Sequence, residues 1–299
     1  MRTVTLGDYK QRLLPVLVYI QAHLDEPLPL DLLASHASFS PFHFHRVFRG
    51  MIGESVAGHV RRLRLERAAS RLRQTRQPVT QLAFEAGYTT HEAFTRAFRA
   101  AFGISPSEFR ARNATHGTAI RAPSGVHYAE SGPARRFRSK PIGGRAMEVA
   151  IKAIEPMRVA FARHVGPYDA CGEAWDALTT ALGKEGWLVG ATFVGICHDD
   201  PEVTPPERVR YDACVTVDDS FEPSGEVGVQ SIPGGDYAVA VHIGPYSRLG
   251  ETYARVMGQW LPRSGRELRA TPCFEVYVND PESTPPDELI TEIHVPLEW

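Results

Sequence analysis

Two carboxylates stand at matching points of two strand-like stretches: Asp212 in RYDACVTV and Glu292 in LITEIHVPL, 80 positions apart. Acids are uncommon in strand interiors, which favour β-branched and aromatic residues. A carboxylate held among aromatic rings favours an organic cation by ion pairing and cation–π attraction, or acts as a general base. Rings available to surround such a group are Tyr168, Trp175, Trp187, Phe193, Tyr211, Phe274 and Tyr277. The competing reading is structural: a solvated outer face with Arg210 beside Asp212, and rings that belong to the core.

A second set of side chains suits a polyanion. Arg46 and Arg96 occupy equivalent places in FHRVFRGMIG, from Phe44, and FTRAFRAAFG, from Phe94. A guanidinium can donate bidentately to guanine, His45 and His91 can donate or accept at base edges, and Glu92 can accept from cytosine. The alternative is that both arginines orient their helix or pair with neighbouring carboxylates. His43 and His45 are closely spaced but lack a third ligand nearby, and Cys171, Cys197, Cys214 and Cys273 form no C-x-x-C pair. No metal or cofactor is therefore expected. With no Ser-His-Asp order, H-E-x-x-H, P-loop or G-x-G-x-x-G, no catalytic residue is assigned.

The acids and rings must be positioned by a repeat. HVGPYDACGEAW, from His164, returns 78 positions later as HIGPYSRLGETY, from His242, and DPEVTPP at Asp200 returns as DPESTPP at Asp280. Around these phrases, alternating runs such as RVAFARHV, RYDACVTV, YAVAVHIG and CFEVYVND read as strands. DACGEAWDALTTALG and SRLGETYARVMGQWL carry apolar residues at helical spacing. The C-terminal part is thus expected to be α+β, a duplicated βαββ module paired edge to edge, with a groove on its pseudo-twofold axis. His164 and His242, each beside Gly-Pro-Tyr, are expected to anchor the turn after a strand.

The arginines fall in an all-α region with a repeat of its own. LPLDLLASHASFSPFHFHRVFRGMIG, from Leu28, aligns with QPVTQLAFEAGYTTHEAFTRAFRAAFG, from Gln77. Each copy reads as short helix, tight turn and longer helix, the arrangement that projects a helix into a major groove. Between them VAGHVRRLRLERAASRLRQ carries Val60, Leu63, Ala68 and Leu72 on one stripe. At 1.5 Å per residue it is roughly 28 Å long, enough with its turns to hold two reading helices about 34 Å apart.

The expected organisation is therefore multidomain: helices with two helix-turn-helix motifs over 1–115, a Gly/Pro/Ser/Arg-rich linker over 116–145, and the duplicated module over 146–299. Charge follows the same division. Residues 1–115 carry 16 Lys/Arg against 9 Asp/Glu, whereas residues 146–299 carry 11 against 25, which directs a polyanion to the front of the chain. The longest N-terminal apolar run, LLPVLVYI, is too short for a membrane span and lacks a cleavage site, so a cytoplasmic protein without a membrane partner is expected.

The stretch from Asp8 to Arg112, with SPFHFHRVFR and AFEAGYTTHEAFTRAFRAAFGISPSEFR, resembles the AraC/XylS transcription regulators. That resemblance implies double-stranded DNA read in two consecutive major-groove segments, with RNA polymerase a further candidate partner. It places Phe42, His45 and Arg46 on the first reading face, His91, Glu92, Thr95 and Arg96 on the second, and Arg49, Arg61, Arg62 and Arg99 against phosphates.

The stretch from Met147, with HVGPY, HIGPY, RYDACV and TEIHVPL, resembles GyrI-like small-molecule-binding domains. By that resemblance Glu292 in the final strand faces an aromatic-lined cleft and pairs a cationic, lipophilic effector, with Asp212 at the equivalent point. Some GyrI-like proteins resemble hydrolases of strained cyclopropane-type rings and others sequester compounds, which are the alternative functions.

Overall fold

A computed structural model describes residues 5–112, 117–139, 147–199 and 204–298, with the side chain of Phe42 outside the description. Packing gathers the described residues into two compact units: 7–41 with 51–139, and 5–6 and 42–50 with 147–298. This grouping differs from the sequence-based boundaries in two ways. The segment 117–139 belongs to the helical unit, and most of the helix over 41–52 belongs to the sheet unit. No helix among the described residues is long and apolar enough to cross a membrane.

The helical elements are α1 (Leu6–Ala22), α2 (Leu30–His36), α3 (Pro41–Ile52), α4 (Val56–Gln74), α5 (Val79–Glu85), α6 (His91–Phe102) and α7 (Pro106–Arg112). Their ends follow local chemistry. The Ser55 hydroxyl accepts from Gly58 N to cap α4, and Thr90 accepts from Ala93 N to cap α6. Before α7, Ser105 and Glu108 exchange hydrogen bonds in a capping box. The stripe expected on α4 is buried, and its Leu65, Ala68, Ala69 and Leu72 pack with Leu82, Ala83, Phe94, Phe98 and Phe109.

Most α4 arginines point inward. Arg67 forms a bidentate pair with Asp25, and Arg71 pairs Glu85. Arg62 bridges Glu54, at 2.7 and 3.1 Å, and Glu66, at 3.1 Å. Segment 117–139 has no helix or strand, yet it is tied to α4. The Glu66 carboxylate, only 2% exposed, accepts from the backbone N–H of Ile120 and of Tyr128, both at 2.8 Å, and meets His127 at 3.0 Å.

One pH dependence follows from this network. Burial works to raise the Glu54 carboxyl, but hydrogen bonds from His59 and Arg62 outweigh it and hold the group down to about 2, against 4.5 unperturbed. A depressed folded-state value contributes stability that is complete above the unfolded value and is lost as pH falls towards the folded one. We expect Glu54 to contribute roughly 3 kcal/mol at neutral pH, disappearing between about pH 4.5 and 2. Urea midpoints measured against pH check this, with Glu54→Gln expected to flatten that acid limb.

The other unit is one eight-stranded antiparallel sheet in the order β1-β6-β8-β7-β3-β4-β2-β5. Its strands are β1 (Ala150–Ile154), β2 (Met157–Val165), β3 (Phe193–Cys197), β4 (Arg210–Thr216), β5 (Gly228–Ile232), β6 (Gly235–Ile243), β7 (Cys273–Tyr277) and β8 (Ile290–Pro296). Helices α8 (Gly172–Gly183) and α9 (Leu249–Arg255) follow β2 and β6; α9 continues through a π-helical turn, Val256–Trp260, into α10 (Leu261–Ser264). Each copy of the duplication carries a strand, β1 or β5, ahead of the expected strand-helix-strand-strand. These two strands are exchanged: β1 precedes the first copy but pairs with β6 of the second, and β5 precedes the second but pairs with β2 of the first. The copies meet where β3 pairs with β7. His164 Nε2 lies 2.9 Å from Pro167 O and His242 Nε2 3.3 Å from Pro245 O, the turn anchoring expected of both.

Candidate functional site

Register decides which side chains share the face that α8 covers. Tyr211, Ala213 and Val215 of β4 pack with Leu178 and Leu182 of α8. Cross-strand partners share a face, so Phe193, Gly195 and Cys197 of β3 lie on that side, as do Cys273, Glu275 and Tyr277 of β7 and Thr291 and Ile293 of β8. At the centre, on the pseudo-twofold between the copies, Glu275 faces Gly195.

Glu275 is 4% exposed and receives two tyrosine hydroxyls, Tyr253 at 3.1 Å on one oxygen and Tyr277 at 2.9 Å on the other. The Cys197 thiol lies 3.5 Å from the first oxygen. The Tyr211 and Tyr277 hydroxyls are 2.9 Å apart, and Trp175 Nε1 donates to Tyr211 at 3.1 Å. Trp175 of α8 and Tyr253 of α9 are equivalent in the repeat, 78 positions apart, so one wall comes from each copy.

Gly195 is what admits this cluster. A Cβ there would stand 2.4 Å from the Tyr277 hydroxyl and 2.6 Å from that of Tyr211. Tyr168, Phe193 and Tyr246 extend the aromatic lining through ring contacts with Tyr211, Trp175 and Tyr277. Burial, then the Glu275 charge, pushes the Tyr253 and Tyr277 hydroxyls well above the usual tyrosine range, and burial does so for Tyr211. All three therefore remain O–H donors. A dry carboxylate held by neutral donors among ring faces is suited to a lipophilic cation.

The residues expected at the ligand site divide between two faces. Tyr168, Phe193, Tyr211 and Tyr277 surround Glu275. Trp187 is displaced from them, donating to Glu185 and packing edge-on against Phe221. Glu292, Asp212 and Phe274 point to the opposite face, because strand alternation turns each one residue away from the side that α8 covers. Glu292 pairs with Lys152 at 3.1 Å and His294 at 3.2 Å. Fully buried Asp212 accepts from Arg163, His198 and Gln230. Burial would raise the Asp212 carboxyl, but those partners hold it well below the usual range. Phe274 stacks on His294. The carboxylate among the rings is thus Glu275 rather than Glu292.

The expected DNA-facing residues also divide. On α6, Glu92, Arg96 and Arg99 are exposed and His91 and Thr95 half-buried, while Phe94 and Phe98 are buried beneath them. Arg61 is exposed, whereas Arg62 is committed to its internal pairs. On α3, His45 and Arg46 are buried and Arg49 is half-buried beside Gly250.

Residues 147–298 match the family described as GyrI-like small molecule binding domain, and residues 33–112 match the helix-turn-helix domain family. The N-terminal part is 33% identical over 97 residues to regulatory protein SoxS of Escherichia coli (strain K12), covering 32% of this chain and 91% of SoxS. It is 32% identical over 108 residues to transcriptional regulator Rob of Salmonella typhimurium (strain LT2), covering 36% of this chain and 37% of Rob. The match therefore spans little more than a third of the length of that relative. Among solved structures, the EcmrR C-terminal domain is similar with a TM-score of 0.42 and 24% identity, covering 52% of this chain and 99% of that one. The chain belongs to the GyrI-like family, here joined to an AraC-type helix-turn-helix domain.

Proposed function

We propose that this protein is a one-component transcription regulator in which a lipophilic cation bound at Glu275 changes how the helix-turn-helix region engages DNA. The observation that carries the reading is the buried Glu275 carboxylate, held by two tyrosine hydroxyls and walled by rings from both copies of the module. The exposed Glu92, Arg96 and Arg99 on α6 supply the DNA side, and RNA polymerase is the further partner that transcription control calls for. A coupling of about 1–3 kcal/mol between the sites would change DNA affinity roughly 5- to 150-fold.

The test is a gel-shift series with a duplex selected by the full chain, with and without benzyltrimethylammonium. The cation is expected to change affinity for the duplex, and mass spectrometry is expected to recover it unaltered. Arg96→Ala is expected to weaken the specific site by about 1–3 kcal/mol and relax base preference at one position. Unchanged affinity and unchanged preference would remove Arg96 from the reading face.

A further inference from the structure

We infer that Arg46 is an internal ligand of the Glu275 cleft, so that α3 of the first helix-turn-helix motif is docked at the effector site and is released when a cation takes its place. This rests on the effector reading of the cleft and adds the means by which occupancy would reach a DNA-reading helix.

Residues 42–50 belong to the sheet unit, and α3 is buried on more than one face there. Phe44, Val47 and Phe48 form the apolar stripe normal for an amphipathic helix. His43, Arg46 and Gly50, at i, i+3 and i+7, form a second stripe that is buried as well. Each of these three has a partner in the C-terminal sequence. His43 Nε2 lies 2.9 Å from Arg269 O. The Arg46 guanidinium, on a side chain only 8% exposed, lies 4.3 Å from the centre of the Tyr253 ring. Gly50 meets Gly258 backbone to backbone, so closely that a Cβ on Gly258 would stand 2.2 Å from Gly50 C and O.

Tyr253 is the link to the cleft: its ring carries the cation on one side, and its hydroxyl donates to Glu275. The Arg46 charge opposes the burial-driven rise of the Tyr168, Tyr253, Cys197 and Cys273 protons. A guanidinium on the face of a ring whose hydroxyl donates to a buried carboxylate is the chemistry the cleft offers an external cation. His43 adds no second charge, because burial lowers it to about 4.

The repeats show that this contact is particular to one copy. Arg96 and Ala100, the counterparts of Arg46 and Gly50, are exposed on α6. Gly258 has Thr180 as its counterpart on α8. The two glycines that permit the backbone contact thus occur on α3 and on the helical segment it crosses, and not on their repeats.

The test is calorimetric titration of the full chain with benzyltrimethylammonium, comparing wild type with Arg46→Ala and with Arg46→Met, which keeps most of the volume without the charge. Vacating the cleft is expected to tighten the cation about tenfold or more, the factor lost when only one molecule in ten is competent to bind. Equal affinities would overturn the internal ligand and leave the effector reading standing. If neither wild type nor variants bind the cation, the effector reading fails, and amide hydrogen exchange over residues 42–50 judges the docking of α3 by itself. At least tenfold faster exchange in Arg46→Met, and in Gly258→Leu where the cleft side chains are intact, supports it. Wild-type exchange in both variants overturns it.

Discussion

Glu275→Gln is expected to weaken binding of benzyltrimethylammonium by about 2–5 kcal/mol, the range for removing one partner of a buried, hydrogen-bonded charge pair. The substitution keeps the volume and one acceptor oxygen, so the Tyr253 hydroxyl, 3.1 Å away, or that of Tyr277, 2.9 Å away, can still be satisfied. What disappears is the negative charge that offsets the desolvation of the cation. Glu292→Gln, on the other face of the sheet and paired with Lys152 and His294, is expected to leave the same titration unchanged. Calorimetry on both variants tests which carboxylate, if either, binds the cation; an effect confined to Glu292→Gln would return the role to the final strand.

The second large effect is expected at Glu66. Its carboxylate is 2% exposed and joins Arg62, His127 and the backbone N–H groups of Ile120 and Tyr128. Glu66→Ala leaves a buried guanidinium short of a partner and two backbone donors without an acceptor. Arg62 keeps its pair with Glu54, so the cost is mainly that of the backbone donors left unsatisfied, about 1–3 kcal/mol each. Chemical denaturation is expected to show that loss, and limited proteolysis to show new cleavage within 117–139, since this segment has no helix or strand of its own. Full stability with an uncut segment would mean that other contacts hold it.

The duplications were legible because phrases recur: His164 with His242, and Arg46 with Arg96, announced both the sheet module and the paired helix-turn-helix motifs. The same device concealed the central carboxylate. Searching for acids at repeated positions selects Asp212 and Glu292, whereas the repeat partner of Glu275 is Gly195. Alternation within CFEVYVND does put Glu275 between Cys273 and Tyr277 on one face, and that was the available signal. The strands β1 and β5 were missed because edge strands need no apolar alternation; AIKAI is almost wholly exposed. Arg62 reads like a phosphate contact in sequence, since an arginine facing Glu54 and one facing solvent look alike until the helix is packed. The burial of Arg46 was equally hidden, because it depends on a crossing of Gly50 with Gly258 between residues more than 200 positions apart.

The exchange of β1 and β5 makes the duplicated module behave like a buckle. A cut between the copies, near residue 220, would give two fragments that each hold a strand belonging in the other's sheet edge, so neither half would be whole by itself.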